Sequence, residues 1–158
     1  MLMKKIFVFL SLISSSSLSY AQSFSADAIL GYWLSESGKG VIQIYKKGNE
    51  FEGKLVWIKD IHDGKVKDKF DIENPDEKLK TRSLVGLVNL HGFKFDKDDQ
   101  EWTDGKIYDP NNGKTYSSYM SLKSKNELKL RGYIGIALIG RTSKWIRQKS
   151  TTPDKYSK

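Results

Sequence analysis

Tight turns recur at short intervals along this chain, and the segments between them alternate apolar and polar residues. The clearest turn is Asp109–Gly113 (DPNNG), in which proline fixes one backbone angle while Asn and Gly accept the left-handed conformation of a hairpin. The segment Glu127–Tyr133 alternates cleanly, with Leu128 and Leu130 on one face and charged residues on the other. No long helical periodicity is present, and turns every 8–12 residues are typical of an antiparallel barrel or sandwich.

The predicted elements account for most of the chain between residues 24 and 148. A short helical turn is expected within Phe24–Leu30, and a first strand opens at Gly31. Further strands are predicted at Lys39–Lys47, Glu50–Lys59, Leu84–Phe95, Trp102–Tyr108, Lys114–Leu122, Glu127–Tyr133 and Arg141–Gln148. We therefore predict an all-β fold, a single antiparallel barrel of about eight strands, because closure removes exposed sheet edges.

The N-terminal segment has the features of a secretory signal peptide. Met1–Lys5 is basic, Ile6–Ile13 is almost wholly apolar, and small residues precede a cut after Ala21. The apolar core is shorter than the roughly 20 residues that cross a bilayer, so no stable membrane span is predicted. We expect a signal peptide at 1–21, a barrel domain at 22–149, a disordered polar tail at 150–158, and a periplasmic or secreted location.

The net charge and the cysteine content exclude several classes of function. Cleavage leaves 137 residues with 25 basic and 19 acidic side chains, a net charge of +6. The lysines are spread along the chain, which favours a solvated surface over one dedicated anion-binding face. No nucleic-acid recognition motif is present. The absence of cysteine excludes disulfides, thiol nucleophiles and cysteine-bound metal clusters.

No catalytic signature is found, and we predict that the protein is not an enzyme and carries no metal or cofactor. The nucleophile elbow, the phosphate-binding loop and the zinc-protease motif are all missing. The remaining enzymatic alternative is a carboxylate pair, Asp104 and Asp109, working as in a glycoside hydrolase. Zinc at His62 and His91 is disfavoured because both lie at glycine-flanked turns or bulges. The acidic loop Asp96–Glu101 and the Asp109 turn lack the spacing of a calcium-binding loop.

Aromatic and apolar residues suggest a binding cavity instead. Tyr116, Met120, Leu128 and Leu130 are predicted to line the barrel interior, and Arg82 or Arg141 to pair with an anionic ligand head. The run Tyr133–Ile139 (YIGIALI) is apolar on both faces. We favour a buried core segment, and the alternative is a lid or a membrane-touching loop at the barrel mouth.

A Gly-x-Trp motif resembles the lipocalin signature. Gly31 and Trp33 follow the predicted helical turn and open the first strand. In lipocalins a basic residue of the last strand packs across that tryptophan. The resemblance implies this role for Arg147, with Arg141 as the second choice.

A broader resemblance spans nearly the whole chain after residue 21. The chain is similar to the bacterial family called domain of unknown function 2147, on the residues Gly31, Trp33, Gly53, Asn74, Pro75, Arg82, Gly86, Leu87, Gly92, Phe93, Trp102, Gly105, Ile107, Tyr108, Asp109, Pro110, Asn112, Gly113, Lys114, Tyr116, Arg131, Gly132, Tyr133, Gly140, Arg141, Trp145 and Arg147. The family implies an exported, lipocalin-like (calycin-type) barrel and brings no settled activity. Its glycine, Asn-Gly and aromatic positions, including Asp109, Pro110, Gly113 and Trp145, are interpreted as structural.

Three functions are compatible with these features. We favour an exported barrel that binds a small apolar or amphipathic molecule without catalysis. The first alternative is a cell-envelope module that binds a protein or an anionic polymer through its basic exterior, with a packed interior. The second is the hydrolase with a carboxylate pair.

Overall fold

The computed structural model describes residues 23–157, which form a closed antiparallel barrel of eight strands. Each strand pairs with the next one in sequence, and the last strand pairs with the first. The strands are β1 Gly31–Leu34, β2 Gly40–Lys47, β3 Glu50–Ile58, β4 Val88–Asp96, β5 Glu101–Asp109, β6 Lys114–Ser124, β7 Glu127–Tyr133 and β8 Gly140–Gln148. The predicted fold class is confirmed.

One end of the barrel is closed by a 3-10 turn, Ala26–Ile29, that precedes β1. Two tryptophans hold it: the indole nitrogen of Trp33 donates to the carbonyl of Ile29 (2.8 Å), and that of Trp102 donates to the carbonyl of Ala26 (3.0 Å). Both tryptophans belong to the main apolar cluster, whose buried members are Ile29, Trp33, Ile42, Ile44, Phe51, Leu90, Phe93, Trp102, Met120, Leu122, Leu128, Leu130 and Trp145.

A glycine makes this packing possible. Gly105 on β5 lies directly under the Phe93 ring, and a Cβ at this position would overlap three of the ring carbons. Because the side chain is absent, the ring can lie flat against the backbone and fill the centre of the closed half.

The opposite end is open, and its connections are longer. The largest runs from 59 to 87 and contains the single helical turn α1 (Lys59–His62) and a 3-10 turn, Glu77–Leu79. The turn between β5 and β6 touches this connection at Gly113, whose φ is +68° and whose Cβ would collide with the backbone carbonyl of Glu73. The DPNNG turn therefore both reverses the chain and anchors the long connection.

Three segments differ from the sequence-based expectation. The strand predicted from Leu84 begins at Val88, because the Leu84 amide bonds to the carbonyl of Lys69 outside the barrel. The tail predicted to be disordered contains a 3-10 turn at Asp154–Tyr156, and Pro153 is fully buried. Tyr156 lies against Trp57 with 5.5 Å between ring centroids, so this tail covers an apolar patch on the outer wall.

The third difference concerns the apolar run that was favoured as core. Residues 134–139 form the connection between β7 and β8, and their large side chains are exposed: Ile134 by 66%, Ile136 by 60%, Leu138 by 84% and Ile139 by 69%. The core interpretation was wrong, because the segment connects β7 to β8 at the open end and its large side chains lie in solvent instead of packing into the barrel. The predicted signal peptide lies outside the described residues.

Candidate functional site

The open half of the barrel contains a cavity of about 800 Å³. Its apolar surface includes Ile42, Leu55, Ile107, Leu130 and Trp145. Its mouth is surrounded by four connections, those between β1 and β2, β3 and β4, β5 and β6, and β7 and β8. This volume and this apolar lining suit a small-molecule ligand.

Small residues on the last two strands explain why this half is hollow. Gly132 pairs with Arg141 across β7 and β8, and one step deeper Leu130 pairs with Ser143. Both pairs line the cavity. In the next pair down, Leu128 packs into the closed half, and Trp145 belongs to the packed cluster and also lines the cavity. The small residues Gly132 and Ser143 therefore leave space between the walls, whereas Leu128 and Trp145 fill the barrel below them.

Polar atoms occupy defined positions in the cavity. The Tyr116 hydroxyl accepts a hydrogen bond from the Asn112 side-chain amide (3.0 Å), which holds it beside the β5–β6 turn. The Ser143 hydroxyl accepts from the indole nitrogen of Trp145 (2.9 Å). Both oxygens retain capacity for a further bond, so each can orient a polar ligand group.

Asn89 is a cavity residue that the sequence did not reveal. Simple alternation with the inward Leu90 would point Asn89 out of the barrel. The β3–β4 register slips there, since Gly53 pairs with Leu90 but Lys54 pairs with Val88, and Asn89 lines the cavity. Its buried side-chain oxygen has no hydrogen-bond partner among residues 23–157. A buried acceptor without a partner is costly, so it favours a ligand donor or a water molecule at this position.

The mouth is weakly basic. Three basic residues line the cavity, Lys39, Lys69 and Arg141, against two acidic ones, Asp60 and Asp109. Lys69 forms an ion pair with Asp60 (3.0 Å), and the Asp109 carboxylate accepts from the side chains of Asn111 and Asn112. Within the described chain, Lys39 and Arg141 have no ion pair. These two cations are therefore available to an anionic group at the mouth.

The predicted interior residues occupy different depths. Tyr116, Leu130 and Arg141 line the cavity. Met120 and Leu128 face the same way but lie in the packed closed half, where both are fully buried. They support the floor and do not line the cavity, which corrects their expected placement.

Arg82 does not reach the cavity at all. It lies outside the barrel, where its guanidinium pairs with the fully buried carboxylate of Asp71 (2.7 Å). The same carboxylate accepts from the Tyr108 hydroxyl (2.6 Å) and the Asn74 amide (2.8 Å). We call these four residues the Asp71 network. Arg82 is thus an anchor for the long connection and is not placed to bind a ligand head inside the barrel.

The Asp71 network also sets the charge of its central carboxylate. Burial alone would raise the pKa of Asp71, but hydrogen bonds from Tyr108, Asn74 and Arg82 outweigh it and hold the pKa below its ordinary value. Burial and the Asp71 carboxylate together raise the pKa of the Tyr108 hydroxyl. The carboxylate therefore stays charged at neutral pH, and its bonds tie the 59–87 connection to β5.

The structure does not bring together the residues of the alternative sites. Asp104 is exposed and lies outside the cavity lining, whereas Asp109 lies at the mouth within its turn. His62 lies against Trp57 and Tyr156 on the outer wall, and His91 is exposed on β4. Over residues 23–157, no three His, Cys, Asp or Glu side chains form a group able to hold a metal ion.

The Trp33 contact implied by the lipocalin resemblance is present. The guanidinium carbon of Arg147 lies 4.1 Å from the centre of the Trp33 ring. Arg147 also donates to the carbonyls of Leu30 and Ala28, both at 2.6 Å. This residue thereby connects the last strand to the 3-10 turn that closes the barrel.

A comparison with models of protein families shows which family the chain belongs to. Residues 31–147 match the model of a family described as uncharacterized protein conserved in bacteria, domain of unknown function 2147. The chain belongs to this family. The match begins at Gly31 and ends at Arg147, so it covers the complete barrel wall from β1 into β8.

One solved structure shares the architecture. It is protein HP1028 from Helicobacter pylori, described as belonging to the lipocalin family, with a TM-score of 0.67 and 23% sequence identity. The similarity covers 77% of this chain and 83% of that protein. At this identity the likeness shows the fold, which is a lipocalin-like barrel.

Two further observations complete the description. No curated protein sequence matches the chain. Among the helices that the structure describes, none is long and apolar enough to cross a bilayer.

Proposed function

We propose that this protein binds a small amphipathic molecule in the open half of its barrel. The apolar part of the ligand lies on Ile107, Leu130 and Trp145, and an anionic head lies at the mouth near Arg141 and Lys39. The observation that carries the proposal is the 800 Å³ cavity, which combines an apolar floor with two unpaired cations at its rim. A lipocalin-like barrel suits this use because closed walls protect an apolar ligand from water.

Charged and neutral dyes of matched shape test the two halves of this proposal. Fluorescence titrations would compare N-phenyl-1-naphthylamine with its sulfonated relative 1-anilinonaphthalene-8-sulfonate. We expect both to bind. Arg141→Gln should weaken binding of the sulfonate by about fivefold and leave binding of the neutral dye unchanged, because an exposed ion pair contributes about 1 kcal/mol at most.

Two further variants control this experiment. Lys129→Gln removes the same charge from the outer face of β7 and should change neither titration. Gly132→Phe should abolish both, because a Cβ at Gly132 would lie 3.5 Å from Ile107 and 3.7 Å from Tyr116, so a larger ring must enter the cavity. Equal binding by Gly132→Phe, with an unchanged circular dichroism spectrum, would show that the dyes bind elsewhere.

The competing envelope-module interpretation receives less support. It predicts a packed interior and a basic face, yet the open half of the barrel is hollow. The acidic side chains also interrupt the basic ones, as in the ion pairs of Asp60 with Lys65 and Lys69.

Export is part of the proposal and rests on the N-terminal sequence. A basic start, an apolar core and a small residue at position 21 together predict cleavage after Ala21. Cell fractionation followed by N-terminal sequencing would test it. We expect Gln22 as the first residue of the protein in the periplasm or the medium, and an uncleaved cytoplasmic chain would contradict export.

A further inference from the structure

The connection between β7 and β8 exposes more aliphatic surface than any other segment of comparable length in the described chain. Ile134, Ile136, Leu138 and Ile139 are each at least 60% exposed, and they fall within six residues. Exposed aliphatic surface of this density is unfavourable in water, and it marks a place where a partner or a membrane binds. We call residues 134–139 the mouth loop.

The mouth loop is held with its side chains outward. Arg131 on the outer wall donates to the carbonyls of Ala137 (2.7 Å) and Leu138 (3.1 Å), and to the Thr142 hydroxyl (2.9 Å). The Ile139 amide closes a turn onto the carbonyl of Ile136 (3.1 Å). Several backbone polar groups of the tip are thus already bonded, which lowers the cost of moving it out of water.

The shape and size of the mouth loop argue against a protein interface. A specific protein interface buries about 800 Å² on each partner, which is more than four aliphatic side chains supply. A short convex tip suits insertion between lipid head groups, where a few aliphatic side chains reach the acyl boundary.

Charge and position support the same occupant. The unpaired cation Arg141 lies just after the loop on β8, and Lys39 lines the same mouth from the β1–β2 connection, so both complement an anionic lipid surface. Ile134 and Ile139 line the cavity, while Ile136 and Leu138 do not. The mouth loop is therefore continuous with the cavity on one side and free on the other.

We propose that the mouth loop docks the open end of the barrel onto an anionic lipid bilayer. Ile136 and Leu138 insert among the lipids, the basic rim lies at the head groups, and the cavity opens toward the membrane. The docked orientation gives an amphipathic molecule a path between bilayer and barrel that avoids bulk water.

Vesicle sedimentation tests this proposal on the mature chain. Vesicles of equal parts phosphatidylethanolamine and phosphatidylglycerol should carry the protein into the pellet, and vesicles of phosphatidylcholine should carry much less. The double variant Ile136→Ser/Leu138→Ser should bind roughly a hundredfold more weakly, the effect expected for two buried aliphatic side chains.

The matched control is Ile146→Ser. Ile146 is also an exposed aliphatic residue, 42% exposed, but it pairs with Leu34 and Glu127 far from the mouth. Its substitution should leave sedimentation unchanged. As a second measurement, Leu138→Trp should add fluorescence that brominated lipids quench.

The outcomes separate docking from ligand binding. The Ile136→Ser/Leu138→Ser variant should still bind both naphthylamine dyes in solution, because neither residue lines the cavity. Docking is refuted if the wild type stays in the supernatant, or if the double variant pellets as well as the wild type. Concentration-dependent dimers that the double variant abolishes, without vesicle binding, would assign the loop to self-association instead.

Discussion

The two halves of this barrel share the same eight strands but are held together by different forces. The closed half is stabilised by interdigitated apolar side chains, with Phe93 lying over Gly105 and two tryptophans bonded to the 3-10 turn. The open half has a hollow interior, and its long connection is attached from outside by the Asp71 network. The comparison indicates that polar anchors outside the wall can hold the connections of a barrel in place where an apolar core is missing.

The largest expected effect compares one substitution at the two ends. Leu128→Ala in the closed half should lower the free energy of unfolding by about 2–5 kcal/mol, because it leaves a cavity in dense packing. Leu138→Ala in the mouth loop should change it by less than about 0.5 kcal/mol, since the side chain is already in water. Urea denaturation followed by circular dichroism measures both, and similar losses would erase the distinction between the halves.

A smaller effect is expected from the polar anchor of the open half. Asp71→Asn preserves shape but leaves Arg82 without its charged partner, and it should cost about 2–4 kcal/mol. The lower part of this range is favoured because Arg82 is partly exposed to solvent. Hydrogen exchange should increase mainly in the 59–87 connection, and uniform exchange across the barrel would show that the network does not act locally.

Acid titration gives an independent measurement of the same anchor. The folded pKa of Asp71 is below its unfolded value of about 3.9, so its contribution is complete above that pH and is lost as the pH falls through the folded pKa. Wild-type stability should decline in this range, and Asp71→Asn should show a shallower decline. Some slope should remain, because hydrogen bonds with Lys47 and Tyr45 also lower the pKa of Glu52 against its burial.

Substitutions of Arg147 test whether a charged residue stabilises the closed half of the barrel. Arg147→Lys keeps the charge over Trp33 but cannot reach the carbonyls of Leu30 and Ala28 together, so we expect a loss of about 1–2 kcal/mol. Thermal unfolding would measure it. Arg147→Ala should lose more, and an unchanged midpoint in both would show that the contact with Trp33 is energetically neutral.

The smallest effect is expected on the outer wall. Tyr156→Ala removes the ring that lies on Trp57 and should cost about 1 kcal/mol, with a red-shifted tryptophan emission. Thr151→Ala changes an exposed residue of the same tail and serves as the control. If Tyr156→Ala leaves the emission unchanged, the tail does not shield Trp57.

The alternation of apolar and polar residues predicted which side chains face the barrel interior. It did not predict how far from the mouth each of them lies. A period of two identifies the face of a strand, so Tyr116, Met120, Leu128 and Leu130 were correctly assigned to one interior. The same period says nothing about distance from the mouth. Met120 and Leu128 were therefore expected in a cavity that closes above them.

Other residues were placed wrongly or overlooked because their positions depend on contacts that the neighbouring sequence does not reveal. The inward Asn89 depends on a register shift against a neighbouring strand. The position of the Arg82 side chain depends on its bond to Asp71, which lies eleven residues earlier within a long connection. The mouth loop misled for a different reason: apolar composition predicts burial, but this segment only connects β7 to β8 at the open end, and its side chains lie in solvent.

The short first strand has a consequence for how the chain folds. Only Tyr32, Trp33 and Leu34 pair with β8, and their partners are more than 110 positions later in the sequence. The other neighbouring strands are joined by hairpins or by one connection, so their loop-closure entropy is smaller. We expect an open curved sheet to assemble first and this three-residue seam to close last, which makes the seam the place where the folded barrel first unzips.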